Sequence, residues 1–302
     1  MGTAAGRFAP SPTGPLHMGS LLAATASFLD ARSQADRWLL RIDDLDTPRV
    51  VPGAEEQILR DLRAHGLLWD GPVDHQSAHL DAYEEALASL ARQGLLFHCD
   101  CSRSQLAEAG RYPGTCRQRI LSPSGSGNTA DSTALKTADL AIRVRTSGVP
   151  VTFNDLIAGP CSVNLEETCG DFVVRRRDGQ IAYQLATAVD DGAVTIRRVV
   201  RGRDLLDNTP RQIFLMSCLG LWVPEYAHVP TLLNAAGHKL SKQNLSPALA
   251  ADQAGANLIR TLGYLGMEPP PEGARWPVAE ILDWAVANWS LASVPRTDVH
   301  ER

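Results

Sequence analysis

RFAPSPTGPLHMGS, residues 7–20, contains a short strand, a turn rich in proline and glycine, and the start of a helix. The helix is predicted from about Met18 to Arg32, because apolar residues recur along it at helical spacing. A second strand at 38–42 follows and ends in the acidic run DDLD at 43–46. A strand, a turn large enough for a phosphate, a helix and a second strand are the first units of a parallel sheet. We therefore predict an α/β fold.

The rest of the chain reads as an insertion followed by a return to this sheet. Amphipathic helices are predicted at 54–65 and 80–92, each followed by a glycine that suits a helix end. From about 95 to 185 the sequence contains clustered cysteines, a Ser/Gly/Asn-rich stretch at 122–132 that predicts a loop, and short strands. The strands are predicted at 140–144, 151–153, 172–176 and 181–185, the last two as a hairpin about Asp178-Gly179, then at 195–200 and 228–232, with helices at 249–262 and 278–289.

Composition excludes several classes of protein. Hydrophobic residues make up 44% and charged residues 21% of the 302, which is typical of a globular chain. No apolar run approaches the roughly 18 residues of a membrane helix, and the start carries no apolar export signal, so we expect a cytoplasmic protein with no membrane partner. The net charge of −5 means that nucleic acid would have to bind a local patch. Arginines that could form such a patch are Arg175, Arg176, Arg177, Arg197, Arg198, Arg201, Arg203 and Arg211.

Two polar loops could hold phosphates. His17 and Gly19 lie at the mouth of the first helix, where free N–H groups and the helix dipole favour anions. Lys239 and Lys242, in the loop GHKLSKQ at 237–243, are point charges of the kind that bind a polyphosphate. Taken singly, the first could be a stiffened turn with a buried histidine and the second an ordinary solvated surface.

Together the two loops resemble the signature motifs of class I aminoacyl-tRNA synthetases, which hold ATP while an amino acid attacks its α-phosphate. The resemblance implies a Rossmann-like catalytic domain split by an α+β zinc-containing insertion and followed by a short helical stem. It assigns ATP binding to His17, Gly19, Ser20, Lys239 and Lys242, with His17, Ser20 and Lys242 catalytic and Mg²⁺ accompanying ATP. Ser20 departs from the pattern, because the first motif usually ends in histidine. A serine hydroxyl can still donate a hydrogen bond to ATP.

Four further matches resemble the glutamyl branch of that class. They are RFAPSPTG at 7–14, RIDDLD at 41–46, YQLATAVDD at 183–191 and VRGRDLL at 200–206. Arg7 has the forked guanidinium that pairs best with a carboxylate, and Asp43 lies where the second strand ends. The resemblance assigns Asp43 to the substrate ammonium group and places glutamate among Arg7, Ala9, Ser11, Asp43, Tyr183 and Arg201. Asp190 or Asp191 could equally be structural.

Three of the six cysteines lie within eighteen residues, at Cys99, Cys101 and Cys116. Three thiolates can form one side of a tetrahedral Zn²⁺ site, and Tyr112 and His98 are candidates for the fourth ligand. The resemblance favours Tyr112 and one structural zinc ion. The alternative is three reduced thiols, two of them buried as small apolar residues.

Only sixty residues follow Lys242. Full glutamyl-tRNA synthetases continue into an anticodon-binding portion, so the chain resembles truncated paralogues of that branch, which esterify queuosine in the anticodon of tRNA(Asp). We expect a monomer with four parts: residues 1–95, a first catalytic half; 96–185, an inserted acceptor-binding-like subdomain; 186–245, a second catalytic half; and 246–302, a helical stem without an anticodon domain. ATP, L-glutamate and the queuosine-bearing anticodon stem-loop are the implied partners. A 3′-end charging enzyme and a non-catalytic tRNA-binding paralogue remain alternatives.

Overall fold

The computed structural model describes residues 4–107, 111–121, 139–193, 196–234, 237–239, 247–269 and 271–301. The strands are β1 (Ala5–Phe8), β2 (Arg37–Ile42), β3 (Asp74–His75), β4 (Leu96–Cys99), β5 (Ala141–Val144), β6 (Val151–Asp155), β7 (Gly159–Val163), β8 (Phe172–Arg175), β9 (Arg198–Gly202), β10 (Glu225–Val229), β11 (Leu232–Leu233) and β12 (Val299–His300). The α-helices are α1 (Met18–Ser33), α2 (Ala54–Ala64), α3 (Leu80–Arg92), α4 (Arg103–Ala107), α5 (Leu165–Thr168), α6 (Tyr183–Ala193), α7 (Thr209–Leu219), α8 (Ala254–Tyr264) and α9 (Val278–Ala287).

The larger sheet has the strand order β3-β2-β1-β9-β10-β6-β7. β1 pairs in parallel with β2, and Ala5 of β1 also bridges Ile196, just before β9, so the segments before and after residues 96–185 meet at β1. β9 and β10 are parallel, β10 pairs with β6 at Tyr226 and Asp155, and β7 completes an antiparallel edge. The carboxyl ends of β1, β2 and β9 therefore share one edge, the place where ligands of parallel sheets bind.

A second sheet, β4-β5-β8, is antiparallel and packs against α3, α6 and α7 around a separate apolar cluster. It contains Cys99 at the end of β4. The β6–β7 hairpin belongs to the same stretch of sequence but joins the larger sheet, because β6 pairs with β10. The segment 96–185 thus contributes to both sheets.

The main core lies between the larger sheet and the helices α1, α8 and α9. Leu21 and Leu29 of α1 and Trp38 of β2 are fully buried in it, and the Trp38 indole N–H donates to Ser27 Oγ at 3.0 Å. This core anchors α1 firmly, so the first turn of α1 has a fixed position at the sheet edge. Across the described ranges, no helix combines the length and apolar character that crossing a bilayer requires.

Most predicted elements are confirmed, with one clear error. The predicted helices at 18–32, 54–65 and 80–92 correspond to α1, α2 and α3. The predicted strand at 181–185 is wrong: only Ile181 bridges β8, and α6 begins at Tyr183. Leu185, Ala186 and Val189 recur at helical spacing and are buried, so packing of that face decides the structure. The loop predicted at 122–132 lies outside the described residues.

Candidate active site

A cavity of about 340 Å³ opens at the carboxyl ends of β1, β2 and β9, in front of the first turn of α1. It brings together almost every residue that the sequence predicts for ATP and glutamate. Those lining it are Arg7, Ala9, Ser11, His17, Gly19, Ser20, Asp43, Tyr183, Arg201 and Lys239. Lys242 lies outside the described residues. Lys239, three residues before it, donates to Asp204 Oδ2 at 2.6 Å.

The first turn of α1 is closed by a reciprocal cap. His17 is the N-cap residue, and its Nδ1 accepts from the backbone N–H of Ser20 at 3.3 Å. Ser20 Oγ lies 2.7 Å from the His17 backbone N–H, which donates to it. Ser20 takes the N3 position of this capping box, which is usually Glu or Gln, so the residue that departs from the family motif has a structural role here. The cap leaves the helix N-terminus, with its partial positive charge, facing the cavity.

Asp43 is a buried carboxylate at the end of β2, with 7% of its surface exposed. Arg41 donates to it through Nε at 2.7 Å. Burial is the largest influence and raises the pKa of Asp43 to about 6, although the Arg41 charge and hydrogen bond act in the opposite direction. A cation in the cavity would therefore stabilise the ionised carboxylate, as a substrate ammonium group would.

Arg7 and Arg41 share a second carboxylate, Asp191 of α6. Arg7 donates to it from Nε at 3.1 Å and from Nη2 at 2.9 Å, and Arg41 Nη1 donates at 2.8 Å. Burial alone would raise the pKa of Asp191, but the two guanidinium groups hold it well below its usual value. The fork predicted to receive a substrate carboxylate is thus occupied along its Nε–Nη2 edge, and only Nη1 of Arg7 is left without a partner among the described residues.

The neighbouring Asp190 ties this network to α3 and the segment before it. Its carboxylate accepts from Gln76 Nε2 at 2.7 Å, from the Tyr83 hydroxyl at 2.8 Å and from His79 Nδ1 at 2.9 Å. Arg41 Nε lies 3.5 Å away. Asp190 and Asp191 are therefore structural supports of the cavity wall, the second of the two readings that the sequence allows.

Arg201 enters the cavity from β9, and its guanidinium is held from behind. Its Nε donates to His228 Nε2 at 3.1 Å, and its Nη2 donates to Gln212 Oε1 at 2.7 Å and to Thr209 Oγ1 at 2.8 Å. His228 Nδ1 in turn donates to Asp155 at 2.6 Å. Burial lowers the pKa of His228, and the Arg201 charge adds to this, so the imidazole is neutral. Arg201 Nη1 is buried and has no hydrogen-bond partner within the part of the chain that the structure describes.

An unpartnered guanidinium nitrogen at a cavity is a donor that an anionic ligand can satisfy, because leaving it buried and unpaired is costly. Tyr183, 38% exposed at the start of α6, lies on the same cavity. Sequence reasoning missed Arg41, Asp155 and His228. Asp155 ends strand β6 much as Asp43 follows β2, and that shared position is the one signal that could have indicated it.

The cysteine cluster lies apart from this cavity, between β4 and the turn at 112–116. The Sγ atoms of Cys99, Cys101 and Cys116 lie within 4.8 Å of one another, and those of Cys101 and Cys116 are 3.6 Å apart. Tetrahedral Zn–S bonds of about 2.3 Å place sulfurs about 3.8 Å apart, so the three thiols fit a metal. Among the described residues, His98 is not part of the cluster. His98 and Cys99 are consecutive residues of β4, so their side chains lie on opposite faces of the strand.

Tyr112 occupies the remaining side of the cluster. Its hydroxyl accepts from the Cys116 backbone N–H at 2.8 Å and interacts with the Cys99 and Cys116 side chains. Burial, with the neighbouring thiols, raises the pKa of this phenol well above its usual value. Of the two candidate fourth ligands, the geometry therefore favours Tyr112.

The sequence and the fold have counterparts in known proteins. The family model for class I tRNA synthetases (E and Q), catalytic domain, matches residues 4–273. A Dechloromonas aromatica protein named glutamyl-Q tRNA(Asp) synthetase is 48% identical over 300 residues, covering 96% of this chain and 95% of its own. A Thiobacillus denitrificans protein of that name is 50% identical over 297 residues, covering 96% and 94%. The structure of a glutamate tRNA ligase from Elizabethkingia meningosepticum in complex with its amino acid is 25% identical, with a TM-score of 0.79, covering 99% of this chain and 67% of that one.

Proposed function

The chain belongs to the class I tRNA synthetases of the E and Q type and, within them, to the glutamyl-Q tRNA(Asp) synthetases, and we propose that the cavity at the sheet edge is its catalytic centre. It is a ligase that activates glutamate with ATP and transfers the glutamyl group to queuosine of tRNA(Asp). One observation carries the assignment of the site. A single cavity joins a capped helix N-terminus, suited to phosphates, with the Asp43 carboxylate and the unpartnered Nη1 of Arg201.

Glutamate binds through its opposite charges. Its ammonium group pairs with Asp43, which lies at the end of β2 and needs a cation to stay fully ionised near neutral pH. A carboxylate of glutamate pairs with Arg201 Nη1, with Tyr183 on the same wall. The relay from Asp155 through His228 fixes the Arg201 guanidinium before substrate arrives, so little ordering is required on binding.

ATP binds across the first turn of α1. Gly19 lets the nucleotide approach the backbone, and His17, Ser20, Lys239 and Lys242 stabilise charge on its phosphates, with Mg²⁺ accompanying the triphosphate. A carboxylate oxygen of glutamate attacks the α-phosphate, the bond to pyrophosphate breaks, and glutamyl-adenylate forms. A hydroxyl of the queuosine ring then attacks the acyl carbon, giving the ester and AMP. The protein contributes electrostatic stabilisation and forms no covalent bond to the glutamyl group.

We assign the cysteine cluster to one Zn²⁺ ion. Cys99, Cys101 and Cys116 would supply three ligands, and Tyr112 the fourth. When bound, the ion cross-links β4 to the turn at 112–116 and so stabilises the second sheet. It lies outside the cavity that we assign to glutamate and ATP.

The proposal extends to the division of the chain into parts, the oligomeric state and the compartment. We propose that residues 1–95 and 186–245 form the catalytic halves, that 96–185 contacts the RNA, and that 246–302 supports the catalytic part. We also propose a monomer that works in the cytoplasm, the compartment that supplies ATP and tRNA.

Glutamate-dependent exchange of pyrophosphate into ATP, measured without RNA, tests the first step. Exchange with glutamate and none with aspartate or glutamine is expected. Transfer of labelled glutamate is then compared on tRNA(Asp) with and without queuosine. Label on the 3′ end in both RNAs would identify a 3′-end charging enzyme, and absence of exchange would identify a non-catalytic tRNA-binding paralogue.

A further inference from the structure

Four of the eight arginines that the sequence marks for phosphate binding are already neutralised by carboxylates. Arg175 pairs with Glu84 at 2.8 Å, Arg176 with Asp178 at 2.7 Å and Arg198 with Asp30 at 2.8 Å. Arg197 pairs with Asp36, while Arg177 and Arg203 donate to backbone carbonyl oxygens. Ion-paired guanidinium groups attract a phosphate weakly, so the four ion-paired residues are poor candidates for RNA contacts.

Three guanidinium groups, of which the sequence marks only Arg211 for phosphate binding, converge without such neutralisation. Arg111, Arg143 and Arg211 line one cavity of about 330 Å³ beside the second sheet. No carboxylate of the described residues lines this cavity or forms an ion pair with any of the three. Glu166 and Asp171 accept from Arg111 and Arg143 through their backbone carbonyls, but the carboxylates of both pair with Arg117, at 2.8 and 3.3 Å. The cavity therefore holds excess positive charge in a chain whose net charge is −5.

Arg143 is built into this cavity. Only 7% of its surface is exposed. Its Nη1 donates to the Asp171 backbone carbonyl at 2.8 Å, and its guanidinium carbon lies 4.1 Å from the centre of the Tyr112 ring. The Arg143 guanidinium also interacts with the Cys99 thiol, but its Nε is buried with no hydrogen-bond partner among the described residues. The same holds for the buried Nε of Arg211, whose Nη1 donates to Asn208 Oδ1 at 3.3 Å. Such orphaned donors are stabilised when an anion binds.

We propose that the cavity lined by Arg111, Arg143 and Arg211 binds a backbone phosphate of the RNA substrate. The proposal rests on the proposed function for the identity of the RNA, and it adds a contact outside the catalytic cavity. Arg111 and Arg211 donate to the phosphate oxygens from the rim, and Arg143 supplies charge from the floor. Because a phosphate contact carries no sequence information, this site positions the RNA and does not distinguish queuosine from guanine.

The test uses the full chain and the double variant Arg111→Gln/Arg211→Gln, with single Arg111→Gln as a milder change. Arg92→Gln is the control matched in charge to the single variant, since it also removes one positive charge but from an arginine that pairs with Glu85 on α3. Binding of queuosine-bearing tRNA(Asp) is measured across a salt series, along with glutamate-dependent pyrophosphate exchange. We expect the double variant to bind the tRNA at least 10-fold more weakly, and its salt slope to fall by about 0.9 for the one lost phosphate contact.

Exchange without RNA should be unchanged in the double variant, which also shows that it folds. An unaltered affinity and salt slope, equal to those of Arg92→Gln, would overturn the proposal while leaving the catalytic assignment intact. If the double variant instead raises the KM for pyrophosphate and leaves tRNA binding unchanged, the site binds a free anion and the RNA assignment is wrong. Loss of exchange in the unmodified protein would count against the proposed function alone.

Discussion

The raised pKa of Asp43 predicts how glutamate use depends on pH. The carboxyl titrates at about 6 instead of 3.8, because burial disfavours its charged form. Since the ammonium group of glutamate needs the ionised carboxylate, kcat/KM for glutamate should rise with pH and level off above about pH 6. Ionisation is roughly one tenth complete at pH 5 and nine tenths at pH 7, so we expect a change of roughly 9-fold. The measurement is pyrophosphate exchange at saturating ATP across pH 4.5–8.

Two variants separate Asp43 from other groups that titrate in this range. Asp43→Asn should lower kcat/KM and flatten the rise, because the titrating group has gone. His17→Asn should lower activity, but kcat/KM for glutamate should still rise near pH 6, since His17 is assigned to ATP. A rise that survives in Asp43→Asn, or that vanishes in His17→Asn, would refute the assignment of Asp43 to the ammonium group.

The raised pKa of Asp43 also makes the free energy of unfolding depend on pH. Below pH 3.8 Asp43 is protonated in both states, and between 3.8 and about 6 only the unfolded chain releases the proton. The contribution of Asp43 to the unfolding free energy is therefore fully present at low pH and lost as pH rises through 6. A shift of about 2.2 units corresponds to about 3 kcal/mol. Urea unfolding at several pH values should show the difference between wild type and Asp43→Asn changing by that amount in the direction stated.

Three further predictions concern a lysine assigned to ATP, a ligand of the proposed metal and a buried ion pair. Lys242→Ala should reduce pyrophosphate exchange about 10²-fold, because one lost contact to transition-state charge costs about 3 kcal/mol; unchanged exchange would contradict its role. Cys101→Ser should lower zinc from about one ion per chain to well below that in elemental analysis, and absence of zinc from the unmodified protein would end the metal assignment. Asp191→Asn should lower the unfolding free energy by about 3–5 kcal/mol, since Arg7 and Arg41 lose a buried partner. A urea midpoint equal to that of wild type would show that the two guanidinium groups find other partners.

Local periodicity accounts for the part of the fold that the sequence predicts well. The helix predicted at 80–92 corresponds to α3, Leu80–Arg92, because its apolar face and the following Gly94 mark both the core side and the end. The prediction failed at 181–185, where the hairpin signal of Asp178-Gly179 outweighed the longer helical pattern that follows it. The pairing of β6 with β10 could not be predicted, because it depends on where the insertion packs against the sheet.

In the candidate site, too, local sequence patterns predict some features and long-range contacts decide the others. Residues carried by motifs, such as Asp43 and Arg201, line the cavity as expected. Their supports were not predicted, because His228 and Asp155 lie 73 positions apart and no local pattern links them. The occupied fork of Arg7 was also missed, since Asp191 reaches it from 184 positions away. Motifs locate side chains that contact ligands, whereas long-range pairs fix the orientation of those side chains.

Asp155 makes the segment 96–185 harder to replace with that of a relative than its position in the sequence implies. The aspartate ends a strand of that segment, yet its carboxylate holds His228 and, through it, Arg201. A chimera that swaps this region for the corresponding piece of a distant relative would leave the imidazole without its acceptor unless the donor brings an equivalent acid. Modular engineering of RNA choice should therefore cut around the β6–β7 hairpin and leave it with the recipient.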